Sequence, residues 1–281
     1  MRPAVNRHDF TTTYNVSKAY TVSLVRTGGS GLEPENRAGL SSQQPIARLP
    51  LSRERVLHAA LEIADQGGLA VLTMRKLAEA LGVKAMSLYN HVASRDAIVD
   101  GLVEIVVGEI ALPAIGGDWK AAMRERAASA HQVLRLHPWA ALAILSRLNT
   151  GPAMLRYVDA SLGCLAEAGF SLQQADHGLN AIDNHVYGFT LQELNFPIEA
   201  HDYAAIAATF LPQLPADRYP HLNGLTLEVI ARRYDGLHVF GFGLAFILDG
   251  LERTLTGLNA AASPASPADR AAPGWPESGR C

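Results

Sequence analysis

Residues 73–92 read TMRKLAEALGVKAMSLYNHV. Thr73 is an N-cap residue type, and Leu77 and Leu81 follow it at four-residue spacing on one helical face. Gly82 suits a tight turn, and Val83 an apolar plug beneath it. A short second helix is expected over about 84–91. Ala78 is small enough for two helices to touch at a steep angle, which is the geometry of a helix-turn-helix. At about 100° per residue, Leu88 points about 160° away from both Met86 and Asn90, with Ser87 and Tyr89 flanking that outward side. Met, Asn, Tyr and Ser together offer apolar contacts for thymine methyls and hydrogen-bonding groups for base edges in a major groove. Arg75, Lys84 and Arg95 stand around this face as phosphate or base contacts, and Ser87 and Tyr89 as phosphate donors. The rival reading is an ordinary helical hairpin with a solvated outer face. Charge does not decide between them, because residues 49–96 carry six basic and five acidic side chains.

The rest of the chain reads as helix between two irregular tails. Of 281 residues, 48% are hydrophobic and 18% charged, with a net charge of −3. A globular chain follows, and a nonspecific nucleic-acid coat protein does not, since that role needs a strong basic excess. Two cysteines, Cys164 and Cys281, exclude a disulfide framework. There is no apolar run of membrane-span length and no signal-peptide core, so a cytoplasmic protein without membrane contact is expected. Residues 1–48 carry loop-like TTTYNV, TGGSG and SSQQP, expected to be a disordered tail or a start assigned too early. Residues 259–281 are expected to be a second disordered tail, rich in Ala, Ser, Pro and Gly.

Ser52 caps a first helix with Val56, Ala59, Ala60, Ile63 and Ala64 on one stripe, closed by Gly67-Gly68. Ser94 caps a fourth helix running to Pro113. Asp118, HPW at 137–139 and the GP at 151–152 start three more, the last with Pro in its first turn. Ser171 and Gln174 form a capping box for a long helix over 171–193. A proline-rich loop with one short helix near 202–211 then leads to a final helix over about 225–257. No strand alternation is sustained. The expected fold is all-α: a helix-turn-helix domain at 49–112, and a larger helical bundle at 113–258 for ligand binding and dimerisation.

The stretch LSRERVLHAALEIADQGGLAVLTMRKLAEALGVKAMSLYNHVASRDAIVDGL resembles the N-terminal domain of TetR-family transcriptional regulators. The marks are the Gly-Gly end of the first helix, LTMRKLAEALGV, SLYNHV and SRDAIVDGL. AEAGFSLQQADHGLNAIDNHVYGFTLQE and FGFGLAFILDGLER are similar to the C-terminal domain of the tetracycline-repressor branch. The resemblance spans roughly 49–256. It implies that Arg75, Ala85, Met86, Ser87, Tyr89, Asn90, His91 and Arg95 approach operator DNA. Ala85, Met86 and Asn90 depart from the tetracycline repressor at the reading helix, so a different operator is expected.

The resemblance further implies a repressor released from a palindromic operator by a small molecule bound in the bundle. Recognition helices of such a dimer lie about 34–36 Å apart. Apolar seams at Leu172, Ala175, Leu179, Ile182, Val186 and Phe189, and at Phe240, Leu244, Ile247, Leu248 and Leu251, suit a homodimer joined through helices 171–193 and 225–257. Polar candidates for ligand contact are His131, Arg147, Asn180, Asn184, His185 and Tyr187, each equally readable as a surface or satisfied core group. Asn180, Asn184 and Tyr187 are favoured by a shared i, i+4, i+7 spacing. A tetracycline–magnesium complex is not expected, because AILSRLNTGP lacks the branch's metal-binding His and Ala111 stands where it has another polar His. No cofactor or metal is expected: GFG lies within a helical pattern, and His131, His137, His177 and His185 form no H-E-x-x-H constellation. An enzyme or ligand-binding module using the bundle without specific DNA binding is the alternative; neither a nucleophile elbow nor a Ser-x-x-Lys motif supports catalysis.

Overall fold

The computed structural model describes residues 50–198 and 200–262. The expectations for 1–48 and for Cys281 fall outside those residues. In the head, α1 (Arg53–Gly67) starts where Ser52 Oγ accepts the Arg55 N–H at 3.2 Å. Its inward stripe is Val56, Leu57, Ala60, Ile63 and Ala64; Ala59 is only half-buried, and Leu57 takes the place expected for it. Thr73 caps α2 (Met74–Leu81) through the Lys76 N–H at 3.1 Å. Gly82 then turns in the left-handed region at φ 65°, and the Val83 N–H closes back on the Ala78 carbonyl at 3.0 Å, a helix stop that a side chain with a Cβ would strain.

The next helix, α3 (Ala85–Leu88), is a single turn, shorter than the expected 84–91. Turn bonds from the His91 and Val92 N–H groups to the Leu88 carbonyl carry the chain onward. Lys84 offers no side-chain oxygen as a cap, so packing of Leu88 rather than propensity holds this turn. Ser94 caps α4 (Arg95–Gly108), which ends five residues before the expected Pro113. Gly101 lets α4 lie against α1: a Cβ there would meet Leu57 Cδ2 at 2.7 Å.

The bundle comprises α5 (Trp119–Leu136), α6 (Ala140–Leu145), α7 (Pro152–Glu167), α8 (Leu172–Asn195), α9 (Tyr203–Phe210), α10 (Pro220–Ile230) and α11 (Phe240–Ala262). Asp118 caps α5, and the Ser171–Gln174 capping box opens α8 as expected. The long final helix does not exist as one piece, so the dimer helix placed at 225–257 is corrected. α10 stops at Ile230, where Glu228 holds the Arg233 guanidinium at 2.7 and 2.8 Å. Arg232 takes a positive φ of 56°, and Gly236 turns at φ 77° beneath the Tyr203 ring. The final helix also continues through Ala262 into the expected tail, because the alanines at 260–262 favour helix; residues 263–281 lie outside the description.

α4 is shared between head and bundle. One side packs Ile98, Val99 and Leu102 into the core. Three acids on its other side, and Glu109 just past its end, meet bundle partners. Asp100 and Asp96 pair with Arg147 at 2.9 and 3.4 Å. The Glu104 carboxylate accepts the Ala153 N–H at 2.8 Å at the start of α7, a charge favoured by the helix N-terminus. Gly151 makes room for it, since a Cβ would fall on that carboxylate. Glu109 meets His137.

Candidate nucleic-acid interface and ligand cleft

The single turn of α3 sorts its side chains by direction. Leu88 is 0% exposed, while Met86 is 75% and Tyr89 48% exposed. Ala85 and Asn90 share the exposed side, and Ser87 and His91 are half-buried at its edges. Arg75 on α2 and Lys84 at the start of α3 are also exposed. Of these eight candidates, six are exposed and two half-buried. Arg95 is different. Its Nε donates to the Leu72 carbonyl at 2.8 Å and its Nη2 to the Leu69 carbonyl, so its guanidinium ties the turn after α1 to α4. Only its remaining N–H groups are left for another partner.

The six ligand candidates scatter. His131 on α5 and His185 on α8 come together: both rings stack on Phe240, with centroids 4.3 and 5.0 Å away, and Phe189 meets each of the three rings at an angle. His185 Nε2–H donates to the Phe240 carbonyl at 2.9 Å. Thr190 gives its hydroxyl proton to the Val186 carbonyl, so it accepts from His131 Nδ1–H at 2.8 Å. Burial depresses the basicity of His131 more than Glu193 restores it. Against this aromatic wall opens a cleft of about 550 Å³, lined by His185, Phe189, Tyr234, Leu237, His238, Val239, Phe242 and Gly243. Gly243 is needed there, because a Cβ would stand 2.5 Å from His185 Cε1.

The other four candidates do not line this cleft. Arg147 binds the acids of α4. Asn180 and Asn184 are exposed on the outer stripe of α8, and Asn180 bonds back to Asp176 of its own helix. Tyr187 is half-buried, and burial pushes its phenol far up.

A buried polar cluster went unread in the sequence. Arg126 on α5 is 0% exposed. Its Nη2 lies 2.8 Å from Asp183 Oδ1 and its guanidinium 4.2 Å above the Tyr157 ring. Tyr157 Oη donates to the same Asp183 oxygen at 3.2 Å. None of the three guanidinium nitrogens of Arg126 makes a well-aligned hydrogen bond among the described residues, so Asp183 meets it as an ion pair. Burial holds the Asp183 carboxyl above its ordinary range despite the cation beside it. Arginine on an amphipathic helix reads as surface, so only an inward helical phase at 126 could have signalled this.

Comparison with known proteins places both halves. Residues 56–102 match the family model described as bacterial regulatory proteins, tetR family, and residues 112–255 match the tetracyclin repressor-like C-terminal domain. The chain is 32% identical over 213 residues to the tetracycline repressor protein class D of Escherichia coli, covering 74% of this chain and 92% of that one. Among solved structures, the Streptomyces coelicolor TetR family protein ActR in complex with actinorhodin aligns with a TM-score of 0.63 at 28% identity, over 74% of this chain and 99% of that one. A TetR from Acinetobacter baumannii AYE in complex with minocycline aligns with a TM-score of 0.52 at 26% identity, over 73% and 98%.

Proposed function

The chain belongs to the TetR family of bacterial regulatory proteins, and from that premise we propose which of its surfaces reads DNA and which holds the effector. It is a ligand-responsive DNA-binding transcriptional regulator that acts on its operator as a dimer. Residues 49–112 form the reading head and 113–258 the effector and dimer bundle. The observation that carries the first assignment is the division within α3: Leu88 is wholly inside, while Met86, Tyr89 and Asn90 stand outside on one surface. A turn this short gives up most of its outer surface, and the residue types on it serve a major groove. Arg75, Lys84, Ser87 and Tyr89 supply backbone contacts around Met86 and Asn90. In an electrophoretic shift with DNA flanking its own gene, Tyr89→Ala and Arg75→Ala each weaken binding by about tenfold or more, with unchanged helical content. Unaltered sequence-specific binding in both variants removes the assignment.

The effector reading rests on the stacked cluster of His131, Phe240, His185 and Phe189, of which His185 and Phe189 line the cleft. Stacked rings and an apolar lining select a flat, largely apolar aromatic molecule. The relatives crystallised with actinorhodin and with minocycline support that class. The cleft offers His185 and His238 but no carboxylate, so magnesium chelation is not part of its recognition. Minocycline or actinorhodin therefore raises the melting temperature equally with magnesium or with a chelator present; a gain seen only with magnesium reverses this reading. The outer stripes of α8 and α11, with Asn180, Asn184, Gly188, Phe242 and Phe246, are the proposed dimer face, in place of a continuous 225–257 helix. The family is made up of transcriptional regulators, and the chain is assigned no reaction and a cytoplasmic place of work. Among the described residues no helix is long and apolar enough to cross a membrane.

A further inference from the structure

His137 follows the last residue of α5 and sits between two carboxylates, one from α1 and one from the end of α4. Its Nδ1 is 2.8 Å from Asp65 Oδ1 on α1, and its Nε2 is 3.1 Å from Glu109 Oε2 at the end of α4. The side chain is 9% exposed. A neutral imidazole carries one N–H and one lone pair, and a carboxylate only accepts. Both contacts are therefore hydrogen bonds only when both ring nitrogens carry protons. The Trp139 indole N–H also donates to Asp65 Oδ1, at 2.8 Å. Asp65 from α1 and Glu109 from α4 are the charged groups that face the ring, and the carbonyl end of α5 adds to the negative side.

We propose that His137 is a proton-dependent tie between the reading head and the effector bundle, so that operator affinity falls as pH rises through its titration. The tie rests on the assignment of α1–α4 as the head. The bundle grips α4 separately, through Arg147 and through Glu104 at the start of α7; His137 and Trp139 are where it reaches α1. Loss of one proton removes one of the two bonds and turns a lone pair towards a carboxylate. The hydrogen bond to Asp65 leads in raising the basicity of His137 above the ordinary imidazole value, ahead of the opposing effect of burial. A group whose folded value is raised contributes fully below its unfolded value, about 6.5, and the contribution is lost as pH climbs through the folded value. The window thus opens above about pH 6.5, on the alkaline side of the ordinary imidazole value.

The test is fluorescence anisotropy of the full chain on its operator from pH 6 to 9, with wild type, His137→Gln and Glu109→Gln. Wild-type affinity weakens by about fivefold or more across the window. His137→Gln loses that part of the profile, and Glu109→Gln moves its midpoint to lower pH. Proton–carbon NMR of the His137 ring, assigned by its absence in His137→Gln, reads the titration without DNA. Superimposable wild-type and His137→Gln profiles overturn the tie, as does a His137 ring titrating at or below the ordinary value. Failure of every variant and the wild type to bind any operator refutes the head assignment instead, and the NMR titration still decides whether the proton is held.

Discussion

Asp183→Ala is expected to cost about 3–5 kcal/mol of unfolding free energy, because it strands a buried cation. Arg126 has no exposed surface, and its nearest anion is Asp183 Oδ1 at 2.8 Å. The Tyr157 ring face 4.2 Å away offers a second partner for the cation, worth about 2 kcal/mol when desolvated, which is not enough to replace a carboxylate. Tyr157 Oη would also lose its acceptor. Asp183 keeps 19% of its side chain exposed, so water softens the loss and places it towards the lower end of that range. The double variant Arg126→Met with Asp183→Leu should recover most of the stability, since apolar groups of similar volume replace a buried pair at little cost or with gain. Thermal and urea melts at one fixed protein concentration read both, because a dimer's melting point moves with concentration. If Asp183→Ala melts within 1 kcal/mol of wild type, the ion pair does not hold this core.

The head was legible in sequence because its signals are local. Thr73, Gly82 and Ser94 each fix a chain direction by a cap or a turn within four residues, and the structure uses all three as read. The bundle was legible only in outline. The periodic apolar run after residue 225 hid the break at 231–239, since Arg232 and Arg233 fit a helix surface as well as a turn. The Glu228–Arg233 pair and the packing of Tyr203 on Gly236 that stabilise the break depend on residues brought together by folding. Arg126 and His137 were missed as functional groups for the same reason. Their partners Asp183 and Asp65 are 57 and 72 positions distant, and no periodicity links an arginine to its burial. The spacing of Asn180, Asn184 and Tyr187 carried no sign for inside or outside: the two asparagines are exposed and the tyrosine is half-buried.

Leu88 and Met86 stand two residues apart on α3, and truncating them should separate folding from reading. Leu88→Ala removes a fully buried side chain from a helix of one turn. A core Leu→Ala costs about 2–5 kcal/mol, and this helix has no capping side chain and only that burial to hold it. The Ala variant is therefore expected to lose operator binding and to melt its head at lower temperature, while the bundle keeps its helical signal. Met86 is 75% exposed, and its truncation should leave stability within about 0.5 kcal/mol. What Met86→Ala changes is which bases are preferred, since an apolar contact to a base edge is lost at a cost of about 1–3 kcal/mol at one position. Circular dichroism melts read the first effect, and selection from random oligonucleotides the second. If Met86→Ala selects the same operator with the same stringency, α3 is positioned against the backbone rather than the bases, and the specificity of this regulator must come from residues flanking the turn.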